Sequence, residues 1–215
     1  MIEVNNDRTE IDIMKKCFAI FIPILILIEQ GVKLIIANTF PVHMDVCIYP
    51  CHEITLIDGF LYFHPILNSG FAITTVRFLA LFNIDISGVP RTPIFMTIGT
   101  LIVIGFALLF SLHSLYVTKK HKVLVYCFFS FVVAGAVCAW IDVAFWGGSL
   151  DYIGLFDWFI FDLKDAYMFA FLPFYILWYG LYLRDYMKLS KEERKQEKLE
   201  TNSIKWIKNG CPSER

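Results

Sequence analysis

Charge is what this sequence has least of. Only 18% of its 215 residues are charged, against 57% hydrophobic and 17% aromatic. A soluble domain is nearer a quarter charged and half apolar. The composition therefore excludes a disordered chain and argues against an ordinary soluble enzyme. Basic excess is missing too: nineteen Lys and Arg stand against twenty Asp and Glu, a net charge of -1. No electrostatic footprint for nucleic acid results. Six cysteines are too few and too scattered for a disulfide scaffold. No internal repeat, Gly-rich phosphate loop or Ser-His-Asp order stands in a credible context.

Four long apolar runs fill the space that charge leaves. About 20 residues at ~1.5 Å rise cross a ~30 Å hydrocarbon layer. The runs are 17–37, interrupted by Glu29 and Lys33; 94–117, without a charge; 123–146, with Asp142 alone; and 166–183, charge-free. Backbone amides in lipid must pair within their own segment, so all four read as helices. Lys15 and Lys16 before the first run resemble the start of a signal peptide. Glu29 and Lys33 inside it, and no clean small-x-small site after Ala37, favour a retained helix. The expected fold class is an integral membrane α-helical protein: four transmembrane helices with a small extracytoplasmic β-containing segment.

Lys and Arg near the helix ends set the orientation. With the N-terminus inside, fifteen basic residues lie inside, and Arg77, Arg91 and Lys164 lie outside. The chain then divides into a cytoplasmic N-terminal segment, 1–16, a four-helix membrane domain, 17–185, and a charged cytoplasmic tail, 186–215. The domain has outer segments 38–93 and 147–165. Within the first, 54–73 is β-branched and aromatic, punctuated by Gly59, Pro65 and Gly70, which predicts short strands. Residues 77–82 suit the membrane surface. The aromatics of the second outer segment, Tyr152, Phe156, Trp158, Phe159 and Phe161, with Trp146 just before it, suit the headgroup level. The tail at 188–198 alternates in charge and reads as a solvated helix extension.

Ionisable groups inside membrane helices are costly and suspect for function. Glu29 and Lys33 stand at i,i+4 on one helix face, where they pair structurally or position substrate. Asp142, Asp151, Asp157, Asp162 and Asp165 fall within 24 residues without a glutamate. The ends of the third and fourth helices return to one leaflet, so Asp142, Asp151 and Asp165 can meet. Two close carboxylates do not both ionise easily, and such a pair can act as acid and base on one water. Asp162 and Asp165 also fit the N-cap and third position of the fourth helix, where negative charge is favoured. Capping and catalysis are compatible.

In order along the chain, four blocks resemble those of the lipoprotein signal peptidase (signal peptidase II) family, four-helix membrane aspartic proteases. The family's Asp-Gln-x-Thr-Lys appears as Glu29-Gln30-Gly31-Val32-Lys33. Asn-x-Gly-x-Ala-Phe appears as Asn68-Ser69-Gly70-Phe71-Ala72-Ile73. Gly-Asn-x-x-Asp-Arg, followed by Val-Val-Asp-Phe, appears as Cys138-Ala139-Trp140-Ile141-Asp142-Val143, then Ser149-Leu150-Asp151-Tyr152. Phe-Asn-x-Ala-Asp appears as Phe161-Asp162-Leu163-Lys164-Asp165. The resemblance implies that Asp151 and Asp165 are the catalytic pair. It makes Asp142 a supporting aspartate, Asn68 and Gly70 part of the outer substrate-binding segment, and Lys33 the helix-1 lysine. Glu29 and Asp162 complete the supporting set.

The blocks also depart from the family. Ala139 replaces an asparagine, Val143 an arginine, Glu29 an aspartate, Asp162 an asparagine and Lys164 an alanine. Losing the arginine removes a donor fork, and Asp162 puts an acceptor-only group where an amide could donate. The implied activity is removal of signal peptides from diacylglyceryl-modified prolipoproteins, without metal or cofactor, in the bacterial cytoplasmic membrane. Membrane lipids are the other implied partner. The helix dipole assigns the charged state to Asp165. Two other readings stay open: a non-catalytic paralogue binding lipoprotein precursors or a peptidase inhibitor, and a small membrane scaffold or transporter subunit.

Cys47 and Cys51, flanked by His43 and His52, are read three ways: a disulfide, unpaired thiols, or a metal site of unfamiliar spacing. Cys17, Cys127 and Cys138 read as small hydrophobes. His64 reads as stabilising a turn, and His113 as structural.

Overall fold

The computed structural model describes residues 2–40, 42–44, 53–68, 92–118, 121–156 and 159–212. Gly70, Cys47, Cys51, His52, Asp157 and the segment 77–82 lie outside the described residues, and nothing is described of the side chains of Cys17 and His43.

Helix α1 spans Ile2–Thr39, α2 Pro93–Val117, α3 Lys122–Ile141 and α4 Leu163–Met187. Within them, Phe18–Thr39, Ile94–Val117, Lys122–Trp146 and Leu163–Met187 are long and apolar enough to cross a membrane. The first helix thus begins well before its apolar run. Large apolar side chains point outward: Leu27, Ile35, Leu101, Phe106, Phe169 and Ile176 are all more than half exposed. Buried side chains include Glu29, Lys33, Asp142 and Asp162, none of which exposes any surface. Such an inside-out arrangement suits a solvent of lipid tails, where an apolar surface costs nothing and an unpaired polar group costs several kcal/mol.

The chain forms two compact units. The first comprises Met1–Leu25, Ile102–Gly135 and Tyr167–Arg215. Its core is Leu115, Val125, Phe128 and Trp178, packed on by Phe171, Phe174 and Tyr175. Aromatics at i,i+4 stack along α4, with Trp178 on Tyr182 at 6.0 Å and Tyr182 on Tyr186 at 6.2 Å. The indole of Trp178 donates to Thr118 Oγ1 at 2.8 Å, which satisfies its buried N–H. Beyond α4, Ser190 and Glu193 form a capping box that starts α5 at Lys191–Glu200. Asn202 caps the short α6, Ser203–Lys208. Trp206 of α6 is buried, its ring 5.0 Å from that of His113, and Thr201 O lies 3.3 Å from His113 Nε2. The charged run at 188–198 is the solvated helix extension expected of it, since α5 buries none of its residues, while the segment beyond it docks on α2. The apolar Trp206 ties that segment down, and His113 has the structural role expected of it.

The second unit comprises Ile26–Leu101 and Ala136–Ala166. It holds a five-stranded sheet: β1 His43–Met44, β2 Ile54–Ile57, β3 Leu61–Asn68, β4 Ser149–Leu155 and β5 Phe159–Phe161. The order is β1-β3-β4-β5, with β2 also on β3; only the β1–β3 pair is parallel. Gly59 makes the β2–β3 turn with φ +65°, where a side chain would be strained. Pro65 does not end a strand as expected. It lies within β3, where the register with β4 shifts between Phe63 and Ile66, and a bulge absorbs its missing N–H. His64 accordingly sits in a strand, not a turn. Strands β4 and β5 occupy the segment read as headgroup-level aromatics. Ile36, Leu150 and Tyr152 form the core between α1 and the sheet.

Between α3 and β4 the chain makes one π-helical turn, Asp142–Trp146, and leaves it through Gly147 at φ +74°. Such turns are commonly found at functional sites, and here Asp142 is fully buried.

Candidate functional site

The site lies wholly within the second unit, where α1, the π turn, β3, β4 and the start of α4 converge. On α1, Glu29 and Lys33 stand one turn apart and pair at 2.8 Å. The π turn supplies Asp142. On β4, Ser149 and Asp151 are two residues apart and therefore share a face. At the start of α4, Asp162 Oδ1 accepts from the backbone N–H of Asp165 at 3.1 Å, a capping bond that orients the Asp162 side chain at the helix start.

Lys33 Nζ donates to Asp142 Oδ2 at 2.6 Å and to Asp162 Oδ2 at 2.7 Å, besides its pair with Glu29. An ammonium has three protons, so three carboxylates saturate it. Lys164 Nζ makes close contacts to Asp162 Oδ2 and Ser149 Oγ, and lies 3.3 Å from Asp142 Oδ2 and 3.7 Å from Asp151 Oδ1. Ser149 Oγ donates to Asp151 Oδ1 at 2.6 Å, and Asn68 Nδ2 to Asp151 Oδ2 at 3.2 Å. Gln30 joins Asp142 Oδ1 at 3.2 Å to the Trp146 indole at 3.1 Å. The Tyr152 hydroxyl lies 3.5 Å from Glu29 Oε2.

Five carboxyl groups thus meet two ammonium groups. Desolvating an unpaired ion costs several kcal/mol, so a cluster with this excess of acid retains protons on some of its members. Burial pushes the Asp151 carboxyl above its ordinary range, against the pull of Lys164 and Ser149. Burial works the same way on Asp162, but the ammonium groups of Lys164 and Lys33 outweigh it and hold that carboxyl below its ordinary range. Two trios, Glu29–Asp142–Asp162 and Asp151–Asp162–Asp165, bring carboxylate oxygens within 4.8 Å of one another. Such spacing could hold a cation, and the two lysine ammonium groups supply positive charge there.

Of the residues singled out in the sequence, Glu29, Lys33, Asn68, Asp142, Asp151, Asp162 and Asp165 come together; Gly70 lies outside the described residues. Sequence reasoning gave no site role to Ser149, Gln30 or Trp146, and treated Lys164 as an outer basic residue and a departure from the family blocks. Ser149 had a signal in its period-2 relation to Asp151, which required β4 to be recognised first.

The profile of the family described as Signal peptidase (SPase) II matches residues 21–180. Among solved structures, a bacterial membrane enzyme determined by the in meso method at 2.3 Å is 20% identical, with TM-score 0.55, over 82% of this chain and 93% of that one. A second, at 1.9 Å, is also 20% identical, with TM-score 0.52, over 75% of this chain and 91% of that one. At that identity the two structures bear on the fold. Curated proteins give no significant match.

Four apolar helices, a small sheet and a buried cluster of acids, with the family profile running across them, define a multi-pass membrane hydrolase. The chain belongs to the signal peptidase II family, bacterial membrane peptidases of lipoprotein processing, and lipoprotein signal peptidase function follows from that membership.

Proposed function

We propose that this chain is an aspartic endopeptidase that removes signal peptides from prolipoproteins carrying a diacylglyceryl-modified cysteine, with Asp151 and Asp165 as its catalytic pair. One observation carries the reading: carboxylate oxygens of Asp151, Asp162 and Asp165 lie within 4.8 Å of one another at the start of α4. That is close enough for two carboxyl groups to work on one water.

The donors support a different division of roles from the helix dipole alone. Ser149, Asn68 and, at longer range, Lys164 all converge on Asp151. Donors of this kind favour a carboxylate. Asp151 is therefore the anion and general base, and Asp165 carries the proton. Asp151 takes a proton from water as its oxygen attacks the scissile carbonyl carbon. Asp165 hydrogen-bonds the carbonyl oxygen, where negative charge develops. As the C–N bond breaks, the proton held by Asp151 passes to the leaving amine, and the dyad returns to its starting state. Both chain ends lie on the cytoplasmic side of the bacterial inner membrane in this reading.

Asp151→Asn and Asp165→Asn each abolish conversion of a lipidated precursor to its mature form in membranes, at matched protein levels. The double variant is little worse than either single one, because the pair acts as a unit. Asp58→Asn, in the exposed β2–β3 turn, keeps parental activity. Full activity in either dyad variant ends the aspartic-protease reading. An inactive parent chain, on several lipidated substrates, moves the assignment to a precursor-binding paralogue.

A further inference from the structure

We infer that Asp162 and Lys164 are a mutually compensating pair, and that the Lys164 ammonium, acting through the Ser149 hydroxyl, positions Asp151 and sets its ionisation. The inference rests on the peptidase reading, but not on it alone.

The family block has an asparagine and an alanine where this chain has Asp162 and Lys164. One replacement adds a negative charge and the other a positive one, so the pair leaves the net charge of the site unchanged. The two side chains are in direct contact. Each is the other's closest charged partner. Asp162 alone would put a further acid beside the dyad with only Lys33 to offset it, and Lys164 alone would lose its closest acceptor and keep only the longer contacts to Asp142 and Asp151.

The direction of the hydrogen bonds gives Lys164 its second role. A serine hydroxyl has one proton to give. Ser149 has its shortest acceptor in Asp151 Oδ1, at 2.6 Å, and it accepts from Lys164. The chain of donors therefore runs from Lys164 through Ser149 to Asp151. Lys164 faces acids on every element packed against it: Asp142 from the π turn, Asp151 from β4, and Asp162 and Asp165 beside it in the chain. Lys33 and Glu29 approach from α1, and Lys33 shares Asp162 Oδ2 with it. In that setting Lys164 is a cation that orients and stabilises an anion. Without it, Asp151 keeps its proton to higher pH.

The test is a cycle of Lys164→Met, Asp162→Asn and the double variant, purified in detergent. Cleavage of a synthetic lipidated precursor is followed against pH, and thermal unfolding is followed in parallel. The expected result for Lys164→Met is a kcat/KM reduced roughly tenfold or more, with KM near parental and the acid limb of the pH profile raised by ~1 unit, as for a carboxylate losing a neighbouring cation. Adding Asp162→Asn moves the limb back towards the parent and recovers most of the rate. A packing role for Lys164 would move neither. An unmoved acid limb in Lys164→Met, or no recovery in the double variant, overturns the inference while leaving a parent that cleaves. If the parent cleaves none of the precursors, the peptidase reading fails by itself, and unfolding decides the pair. Melting losses that cancel in the double variant support it, and additive losses overturn it. The same holds if a single variant does not accumulate: rescue by the second change supports the pair, and its absence sinks it.

Discussion

Asp162 and Asp151 are buried within one cluster, yet linkage gives them opposite effects on stability. Asp162 has its folded pKa depressed below its ordinary 3.8 by two ammonium groups. Its contribution is therefore fully present above 3.8 and is lost as pH falls through the depressed value. Asp151 has its folded pKa raised above 3.8, chiefly by burial. Its contribution is fully present below 3.8 and is lost as pH rises through the raised value. Asparagine imitates the protonated acid at both positions. Asp162→Asn is thus expected to lower the melting temperature near pH 7, with the deficit shrinking in acid. Asp151→Asn is expected to raise it near pH 7, with the gain vanishing as pH falls towards 3.8. Thermal unfolding of the parent and both variants across pH 3–7 reads the two signs, and equal signs would contradict the assignment of charges. At this scale the sequence was informative for the acids and for the Glu29–Lys33 pair, because helix spacing and block order name them. It was silent on Ser149 and on the work of Lys164, because their role lies in contacts between elements distant in sequence.

Among the elements, the long helices were legible and the strands only partly so. An apolar run of some twenty residues has few alternatives in structure, and each of the four runs lies within or overlaps a helix. Segment 147–165 has no such protection. Its aromatics fit a membrane interface as well as a strand, and only the pairing of β4 with β3 decides between them. That pairing depends on Gly154. It faces Tyr62 across the ladder, and a Cβ built at Gly154 would lie 2.1 Å from the Tyr62 ring. Tyr62 is itself buried, so its ring has little room to swing away. Gly154→Ala is therefore expected to destabilise the fold by ~1–3 kcal/mol, the usual cost of overpacking. Denaturant unfolding in mild detergent measures the loss. Cleavage should fall with it, because β4 carries Ser149 and Asp151. Gly154→Ala combined with Tyr62→Ala should recover part of the stability. A single variant as stable as the parent would show that the β3–β4 pair does not hold the site. The charged run at 188–198 was legible as an exposed helix, but the docking of the segment beyond it was not. Charges dominate the composition there, while the docking rests on the buried ring of Trp206 and on contacts of Tyr116 and His113 to the backbone of Glu200 and Thr201.

At the scale of the whole molecule, poverty of charge established the membrane class, and the distribution of the few basic residues argues for its orientation. Fifteen Lys and Arg fall on one side of the proposed arrangement, and only Arg77, Arg91 and Lys164 on the other. Lys164 scarcely belongs in that count. It is buried against acids at the start of α4 and presents almost no charge to the membrane surface. Leaving it out sharpens the bias, and the bias rests on residues near the helix ends, where it acts during insertion. The arrangement ties topology to chemistry. Asp151 and the first turn of α4 must lie on the outer side, where a lipid-modified precursor presents its cleavage site, whereas Thr118 and the segment after α4 lie inside. Reporter fusions at Thr118 and after Lys188 are expected to read as cytoplasmic, and one at Asp58, in the β2–β3 turn, as extracytoplasmic. The decisive fusion is the one at Asp58, because the β2–β3 hairpin and β4 belong to one sheet. A cytoplasmic signal there would carry Asp151 to the wrong side of the membrane for a precursor already exported and lipidated. It would overturn the proposed peptidase activity together with the orientation.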